Sequence, residues 1–128
     1  MRDLQSIAIP LKLDLPICLL AAFLSLTALG CRSHGIDVTI QNNAKAPLRN
    51  VELDYPGASF GTGSILAGAS YWYHIKPVED GEITFSFEQE DGKTFKQKEP
   101  AVRAGEDGRM IIIVDQNSRK QWSVRVKR

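Results

Sequence analysis

The sequence predicts an all-β protein, a single antiparallel β-sandwich that follows an N-terminal leader. Beyond Gly35, apolar residues recur at every second position, as expected of strands with one buried face and one solvated face. Residues that favour turns separate these runs at short intervals, and no extended stretch has helical spacing. These observations predict about seven or eight short strands in two facing sheets.

The first 30 residues predict an export signal peptide. The stretch 15–30 contains no charged residue. It is shorter than the roughly 20 apolar residues of a membrane-spanning helix, but long enough for a signal-peptide core of about 7–15. Arg2 and Lys12 supply positive charge before it, partly offset by nearby acids. We therefore expect residues 1–30 to be cleaved rather than to remain as a permanent span.

The segment Ala28-Leu29-Gly30-Cys31 resembles the lipobox of bacterial lipoproteins, in which an apolar and small run precedes an acylated cysteine. The resemblance implies that Cys31 carries the lipid. Cys18 would leave with the leader, so the mature chain would have no internal disulfide. Because Leu29 stands where that motif usually has a small residue, an ordinary small-x-small cleavage site is the alternative. It would give a secreted or periplasmic protein with a free thiol, and an uncleaved anchor is a further alternative.

Residues 31–36 predict a short tether between the lipid and the domain. The four residues Arg32–Gly35 span about 14 Å at most, at ~3.5 Å per residue. Several acyl chains would anchor the protein firmly, since each buried methylene adds about 0.8 kcal/mol. Arg32 is not the Asp that retains some lipoproteins at the inner membrane. The resemblance thus slightly favours the outer membrane within the cell envelope.

The strands of residues 37–128 are predicted from alternating and continuous apolar runs. The alternating runs are Ile36-Val38-Ile40, Val51-Leu53-Tyr55, Ile83-Phe85-Phe87 and Trp122-Val124-Val126. Residues 110–114 are apolar throughout, which is typical of a central strand covered on both faces. Asp91-Gly92 predicts a hairpin turn. The Gly-rich stretch 57–64 predicts an edge or bulged strand.

Three segments resemble immunoglobulin-like and fibronectin-III-like modules of bacterial surface proteins. They are "VTIQNNAKAPLRNVELDYPG", "GSILAGASYWYHI" and "DGEITFSFEQEDGKTF". The resemblance implies an immunoglobulin-like sandwich and transfers no active site. Because no Trp lies between paired cysteines, an antibody-type domain is excluded.

The sequence predicts no catalytic residue, no cofactor and no metal site. Its two histidines, His34 and His74, are far apart in the chain, and neither a G-x-S-x-G elbow nor a phosphate-binding loop is present. Acidic pairs fall in turns, where they are solvated. Lys and Arg number 16 against 15 Asp and Glu, so the basic excess of nucleic-acid-binding proteins is missing. A hydrolase would require His74 to meet a carboxylate such as Glu79 or Asp54.

The segment 71–75 offers the candidate ligand-binding surface. In a strand, Trp72, His74 and Lys76 share one face, and the two tyrosines share the other with Ile75. A solvent-facing Trp72 would stack on a sugar ring or an aromatic side chain of a partner. In the alternative interpretation, Trp72 lies in the core between the sheets and the tyrosines point outward.

Basic residues are concentrated at the C-terminus. They are Arg119, Lys120, Arg125, Lys127 and Arg128. Such charges attract anionic headgroups or cell-wall polymers. Alternatively, they keep an edge strand from pairing with another chain.

The function that fits best is a non-catalytic binding or accessory module, held at the membrane by its lipid, with an envelope protein or polysaccharide as its partner. Two alternatives stay open. One is a secreted carbohydrate-binding or small hydrolytic domain, and the other is a structural spacer or subunit of an envelope assembly. The sequence makes no prediction of the oligomeric state.

Overall fold

The computed structural model describes residues 34–128, which fold as eight strands. The strands are β1 (Ile36–Asn42), β2 (Leu48–Tyr55), β3 (Ala58–Ile65), β4 (Ser70–Ile75), β5 (Gly81–Glu88), β6 (Thr94–Val102), β7 (Gly108–Gln116) and β8 (Trp122–Lys127). Within this range there is no helix that could span a membrane. The predictions for the signal peptide and for Cys31 lie outside the described residues.

Two four-stranded sheets make up the domain, which confirms the prediction of an all-β protein. The first sheet has the order β4-β1-β7-β8 and the second has the order β3-β2-β5-β6. All pairs are antiparallel except β1 and β7, which run parallel from Ile36 opposite Gly108 to Asn42 opposite Val114. The prediction of a wholly antiparallel sandwich is therefore wrong at this pair, because alternation shows which side chains are buried but not the direction of the neighbouring strand.

One apolar core is formed by inward-facing side chains of both sheets. Burial alternates along β1 and along most of β5, as the sequence predicts. Val38, Ile40, Leu53, Phe85 and Ile112 are each 0% exposed. Complete burial of a side chain of this size contributes about 1.5–3 kcal/mol. The core therefore lies between the sheets and leaves the outer face of each sheet available to solvent.

Strand β7 occupies the centre of the first sheet but is not covered on both faces as predicted. Met110, Ile112 and Val114 point into the core, whereas Ile111 and Ile113 point to the outer face. Ile111 is half-buried and Ile113 is 7% exposed, although no further layer of residues 34–128 packs over them. In the register of the sheet, Ile111 lies between Thr39 and Lys127, and Ile113 lies between Gln41 and Arg125. The aliphatic run of β7 thus supplies an apolar strip to an open face.

The predicted turns and edges are largely confirmed. Asp91 and Gly92 lie in the turn between β5 and β6, with Gly92 at a φ of 82°. The Gly-rich strand β3 and the basic strand β8 both lie at sheet edges. These positions fit the expectation that glycine and charged side chains are tolerated where a strand lacks a second neighbour.

Asn42 has a structural role that the alternating pattern does not predict. It is the last residue of β1 and is fully buried. Its Nδ2 donates to the carbonyl oxygens of Ala46 (2.9 Å) and Ile65 (3.0 Å), while its Oδ1 accepts from the Ala44 amide (3.0 Å). One side chain therefore connects the β1–β2 loop to the end of β3.

Candidate functional site

Strand β4 forms one edge of the first sheet and carries the predicted surface residues. Trp72 is 62% exposed, and it points with His74 to the outer face of the sheet. Lys76 follows the end of β4 and is also exposed. The interpretation that placed Trp72 in the core between the sheets is wrong. The binding role of these three residues stays a prediction.

The inward side of β4 explains why Trp72 points outward. The Tyr73 ring stacks on Phe60 of β3 with centroids 4.0 Å apart, and Tyr71 lies 6.3 Å from the same ring. Burial, together with the nearby Tyr73, raises the pKa of Tyr55. These aromatic rings close the side of the sandwich where β3 and β4 are adjacent. Because side chains alternate along a strand, the contacts of the two tyrosines with Phe60 turn Trp72 to the opposite face of the sheet.

The outer face of the first sheet brings Trp72 into line with residues of three other strands. In the register of the strands, Trp72 is opposite Thr39, Thr39 is opposite Ile111, and Ile111 is opposite Lys127. We call the outer face of this sheet the Trp72 face. It is defined by Trp72, His74, Asp37, Thr39, Gln41, Arg109, Ile111, Ile113, Arg125 and Lys127.

The Trp72 face has uncompensated positive charge. Asp37 accepts a hydrogen bond from His74 (2.7 Å). Asp115, further along β7, accepts one from Arg125 (2.8 Å). The carboxylates of Asp37 and Asp115 are thus already paired. Arg109 and Lys127 are exposed and form no ion pair with another residue of the described range 34–128.

The outer face of the second sheet differs from the Trp72 face in chemistry. Along its central rows, Glu52 is opposite Ser86 and Thr84 is opposite Lys98, so the outward side chains there are polar. No large exposed hydrophobic residue belongs to its outward positions in the described range. The two faces are therefore not equivalent, since an aromatic and aliphatic surface occurs on the first sheet alone.

His74 is held by two hydrogen-bond acceptors. Its Nδ1 lies 2.7 Å from Asp37 Oδ1, and its Nε2 lies 3.1 Å from the carbonyl oxygen of His34. A carboxylate and a carbonyl both accept, so the two bonds form together only when both ring nitrogens are protonated. The Asp37 hydrogen bond first, and then the His34 carbonyl, raise the pKa of His74. The hydrolase alternative expected a carboxylate such as Glu79 or Asp54 within reach of His74, and the carboxylate found there is that of Asp37.

The residues just before β1 are fixed to the domain rather than extended as a tether. His34 Nδ1 lies 3.0 Å from Asp107 Oδ2, and the Gly35 amide donates to Asp107 Oδ1 (2.6 Å). These two bonds lower the pKa of Asp107. A Cβ at Gly35 would lie 2.5 Å from both His74 Nε2 and the Ile75 carbonyl oxygen, so glycine is required for this approach. The histidines that are distant in sequence therefore meet, through the His34 main chain.

Neither histidine belongs to a metal centre in the described part of the chain. Among residues 34–128, no three His, Cys, Asp or Glu side chains are placed to hold a metal ion. The arrangement of His74, Asp37 and His34 instead forms a charged hydrogen-bonded cluster beside the Trp72 face. The hydrogen bonds of this cluster fix the start of β1.

One buried carboxyl group lies away from the Trp72 face. Glu99 of β6 is 7% exposed and accepts a hydrogen bond from Gln97 Nε2 (3.0 Å), which also donates to the Val124 carbonyl of β8 (3.3 Å). Burial raises the pKa of Glu99, and the Gln97 bond partly opposes this. The cluster links two sheet edges, so we interpret it as structural.

A polar cavity of about 340 Å³ lies at the opposite ends of the strands from His34. The residues that line it include Trp122, Glu90, Asp91, Gln116 and Lys120. The indole of Trp122 packs edge-on against Phe87 at 5.0 Å, which makes it an extension of the core. Sequence reasoning missed this cavity, because it depends on the β5–β6 and β7–β8 turns meeting in space. Its acids lie in exposed turns, as the sequence predicts.

Comparison with known proteins adds support for the fold. No family model matches the chain, and no curated protein matches its sequence. The structure is similar to an NMR structure of a protein from Eubacterium rectale, with a TM-score of 0.61 and 7% sequence identity. The similarity covers 75% of this chain and 91% of that chain. At this identity the likeness concerns the fold alone.

Proposed function

We propose that this protein is a lipid-anchored module of the bacterial envelope that binds its partner through the Trp72 face and performs no catalysis. The observation that carries the proposal is the 62% exposure of Trp72 on an open sheet face. Burying an exposed indole contributes strongly to binding, and tryptophan is enriched among residues that dominate interfaces. The polar outer face of the second sheet supplies no such group.

The surroundings of Trp72 support binding rather than catalysis. Thr39 and His74 lie beside it, and the half-buried Ile111 extends the apolar strip towards β8. The nearest acid–base pair, His74 with Asp37, is also bonded to the His34 main chain, so both ring nitrogens of His74 are occupied. A general base needs a free nitrogen that faces its substrate. This cluster therefore favours positioning over proton transfer.

The immunoglobulin-like class is part of the same proposal. Two four-stranded sheets around one core, and the resemblance of three sequence segments to bacterial surface modules, support it. The parallel β1–β7 pair shapes the sheet by placing the first strand beside the last hairpin. In this arrangement the loops lie at the two ends of the sandwich, and the Trp72 face lies between these ends.

The proposed anchor at Cys31 would hold the domain close to the membrane. Since His34 and Gly35 are bonded to Asp107, only Arg32 and Ser33 lie between Cys31 and the fixed residues. Three residue steps from Cys31 to His34 reach about 10 Å. Thr39, the neighbour of Trp72, lies about 13 Å along β1 from Gly35. The Trp72 face would thus remain accessible just above the surface.

Replacement of Trp72 tests the proposed binding surface. We expect Trp72→Ala, introduced together with Cys31→Ala so that no lipid anchor contributes, to weaken sedimentation with detergent-extracted envelope material by about tenfold or more relative to Cys31→Ala alone, as for an interface residue that dominates binding. Leu66→Ala is the matched control, because Leu66 is 68% exposed in the turn between β3 and β4, outside this face. Equal binding of both variants and the parent would contradict the proposal.

A further inference from the structure

The class of ligand follows from three properties of the Trp72 face, and the argument rests on the proposed function. The first is an uncovered aromatic ring. Trp72 lies among the small polar side chains Thr39 and Ser70 and the imidazole of His74. A pyranose ring has an apolar C–H surface and a polar rim, so a flat indole with hydrogen-bonding groups around it matches both parts.

The second property is the charge of the face. Asp37 and Asp115 are hydrogen-bonded to His74 and Arg125, whereas Arg109 and Lys127 are exposed and without an ionic partner in the described range. Unpaired cations beside paired acids give the face a positive potential, which attracts an anionic ligand. A ligand with carboxylates would complete these two ion pairs.

The third property is its shape and length. Trp72 on β4 and Lys127 on β8 are three strand spacings apart, about 14 Å at ~4.8 Å per spacing. The surface between them is an open sheet rather than a closed pocket. One sugar ring cannot reach both groups, so contact with both requires an extended chain.

We propose that the Trp72 face binds an extended acidic polysaccharide whose hexose rings carry carboxylate groups. One ring stacks on Trp72 and the chain crosses the sheet over Thr39 and Ile111. The carboxylates of neighbouring rings meet Lys127 and Arg109. A lipid surface fits less well, since a membrane-binding face exposes several large apolar side chains with its cations. Here one indole is surrounded by hydrogen-bonding groups.

The test uses the full-length protein in detergent micelles and measures its affinity for defined sugars by calorimetric titration. The probes are tetragalacturonate, monomeric galacturonic acid and the uncharged cellotetraose. We expect tetragalacturonate to bind at least tenfold more tightly than the other two, and its affinity to fall as salt rises. Trp72→Ala should weaken it about tenfold or more.

Charge reversal separates the ionic contribution from stacking. Lys127→Glu should weaken tetragalacturonate binding severalfold and reduce its salt dependence. Lys96→Glu is the matched control, because Lys96 is an exposed lysine of the second sheet. Any of three results would overturn the inference. They are equal affinity for tetragalacturonate and cellotetraose, equal effects of the two charge reversals, and tighter binding to phosphatidylglycerol vesicles than to tetragalacturonate.

Failure of this inference is distinguishable from failure of the proposed function. If tetragalacturonate does not bind but Trp72→Ala still releases the protein from envelope material, the ligand class is wrong and the binding surface stands. If binding to envelope material does not depend on Trp72 either, both are wrong.

Discussion

His74 shows how a single residue connects the start of the domain to the Trp72 face. Its imidazole donates to Asp37 on the Trp72 face and to the main chain of His34, the residue that precedes Gly35. Both bonds require the protonated ring, and the pKa of His74 is accordingly raised above its ordinary value of 6.5. The stabilisation from these bonds is complete below pH 6.5 and is lost as the pH rises through the raised pKa.

The pKa of His74 therefore responds to the loss of its main partner. We expect an NMR titration of the imidazole signals to give a pKa above 6.5 in the parent protein and a lower pKa in Asp37→Asn. The free energy of unfolding of the parent should fall as the pH rises through the His74 pKa, and this change should be smaller in the variant. A parent His74 that titrates at or below 6.5 would contradict the hydrogen-bonding arrangement.

Asp107 has the opposite pH dependence. Its pKa is lowered by the hydrogen bonds from His34 and Gly35. Stability from these bonds is present above pH 3.8, the ordinary value for this carboxyl group, and is lost as the pH falls through the lowered pKa. The segment before β1 is thus held most firmly between the titrations of Asp107 and His74.

At the scale of strands, the sequence predicted where the strands lie better than which strands pair with one another. Alternation identified the inward positions of β1 and β5, such as Val38 and Phe85, because a half-buried strand imposes a period of two. The same alternation left open whether Trp72 points into the core or towards solvent. The stacking of Tyr73 on Phe60, a residue of the other sheet, decides between them.

Pairing between distant strands could not be predicted from local pattern. The parallel alignment of β1 with β7 and the bond between Asp37 and His74 join residues far apart in the chain. Their register depends on the whole sandwich rather than on neighbouring residues. For the same reason, the sequence predicted which residues of β4 share the Trp72 face but not which residues of β1, β7 and β8 lie beside them.

Turn chemistry of the β5–β6 hairpin provides a test at this scale. Gly92 has a φ of 82°, and a Cβ there would meet nothing within 4 Å. Gly92→Ala should lower the free energy of unfolding by about 1–2 kcal/mol, since a side chain disfavours this conformation. Gly63→Ala is the matched control, because a Cβ there also meets nothing within 4 Å and its φ is not positive. Equal urea midpoints for the two variants would contradict the assignment of the turn.

At the scale of the whole molecule, the proposal combines a membrane anchor with an open binding surface. We expect the wild-type protein to fractionate with membranes and its mature form to carry acyl chains on Cys31, measurable by mass spectrometry. Cys31→Ala should move the protein out of the membrane fraction. An unchanged membrane fraction, or a mature wild-type protein with an unmodified thiol, would contradict the proposed lipid anchor at Cys31. The proposed binding surface would then be tested separately.

The most direct test of the central claim is to map the bound surface by NMR. Amide chemical shifts of the full-length protein in micelles are recorded before and after the addition of soluble envelope polysaccharide. We predict that the largest changes occur at Thr39, Trp72, Ile111 and Lys127, in one row across the first sheet. Changes concentrated at Glu52, Ser86 and Lys98 on the second sheet, with none on the Trp72 face, would contradict it.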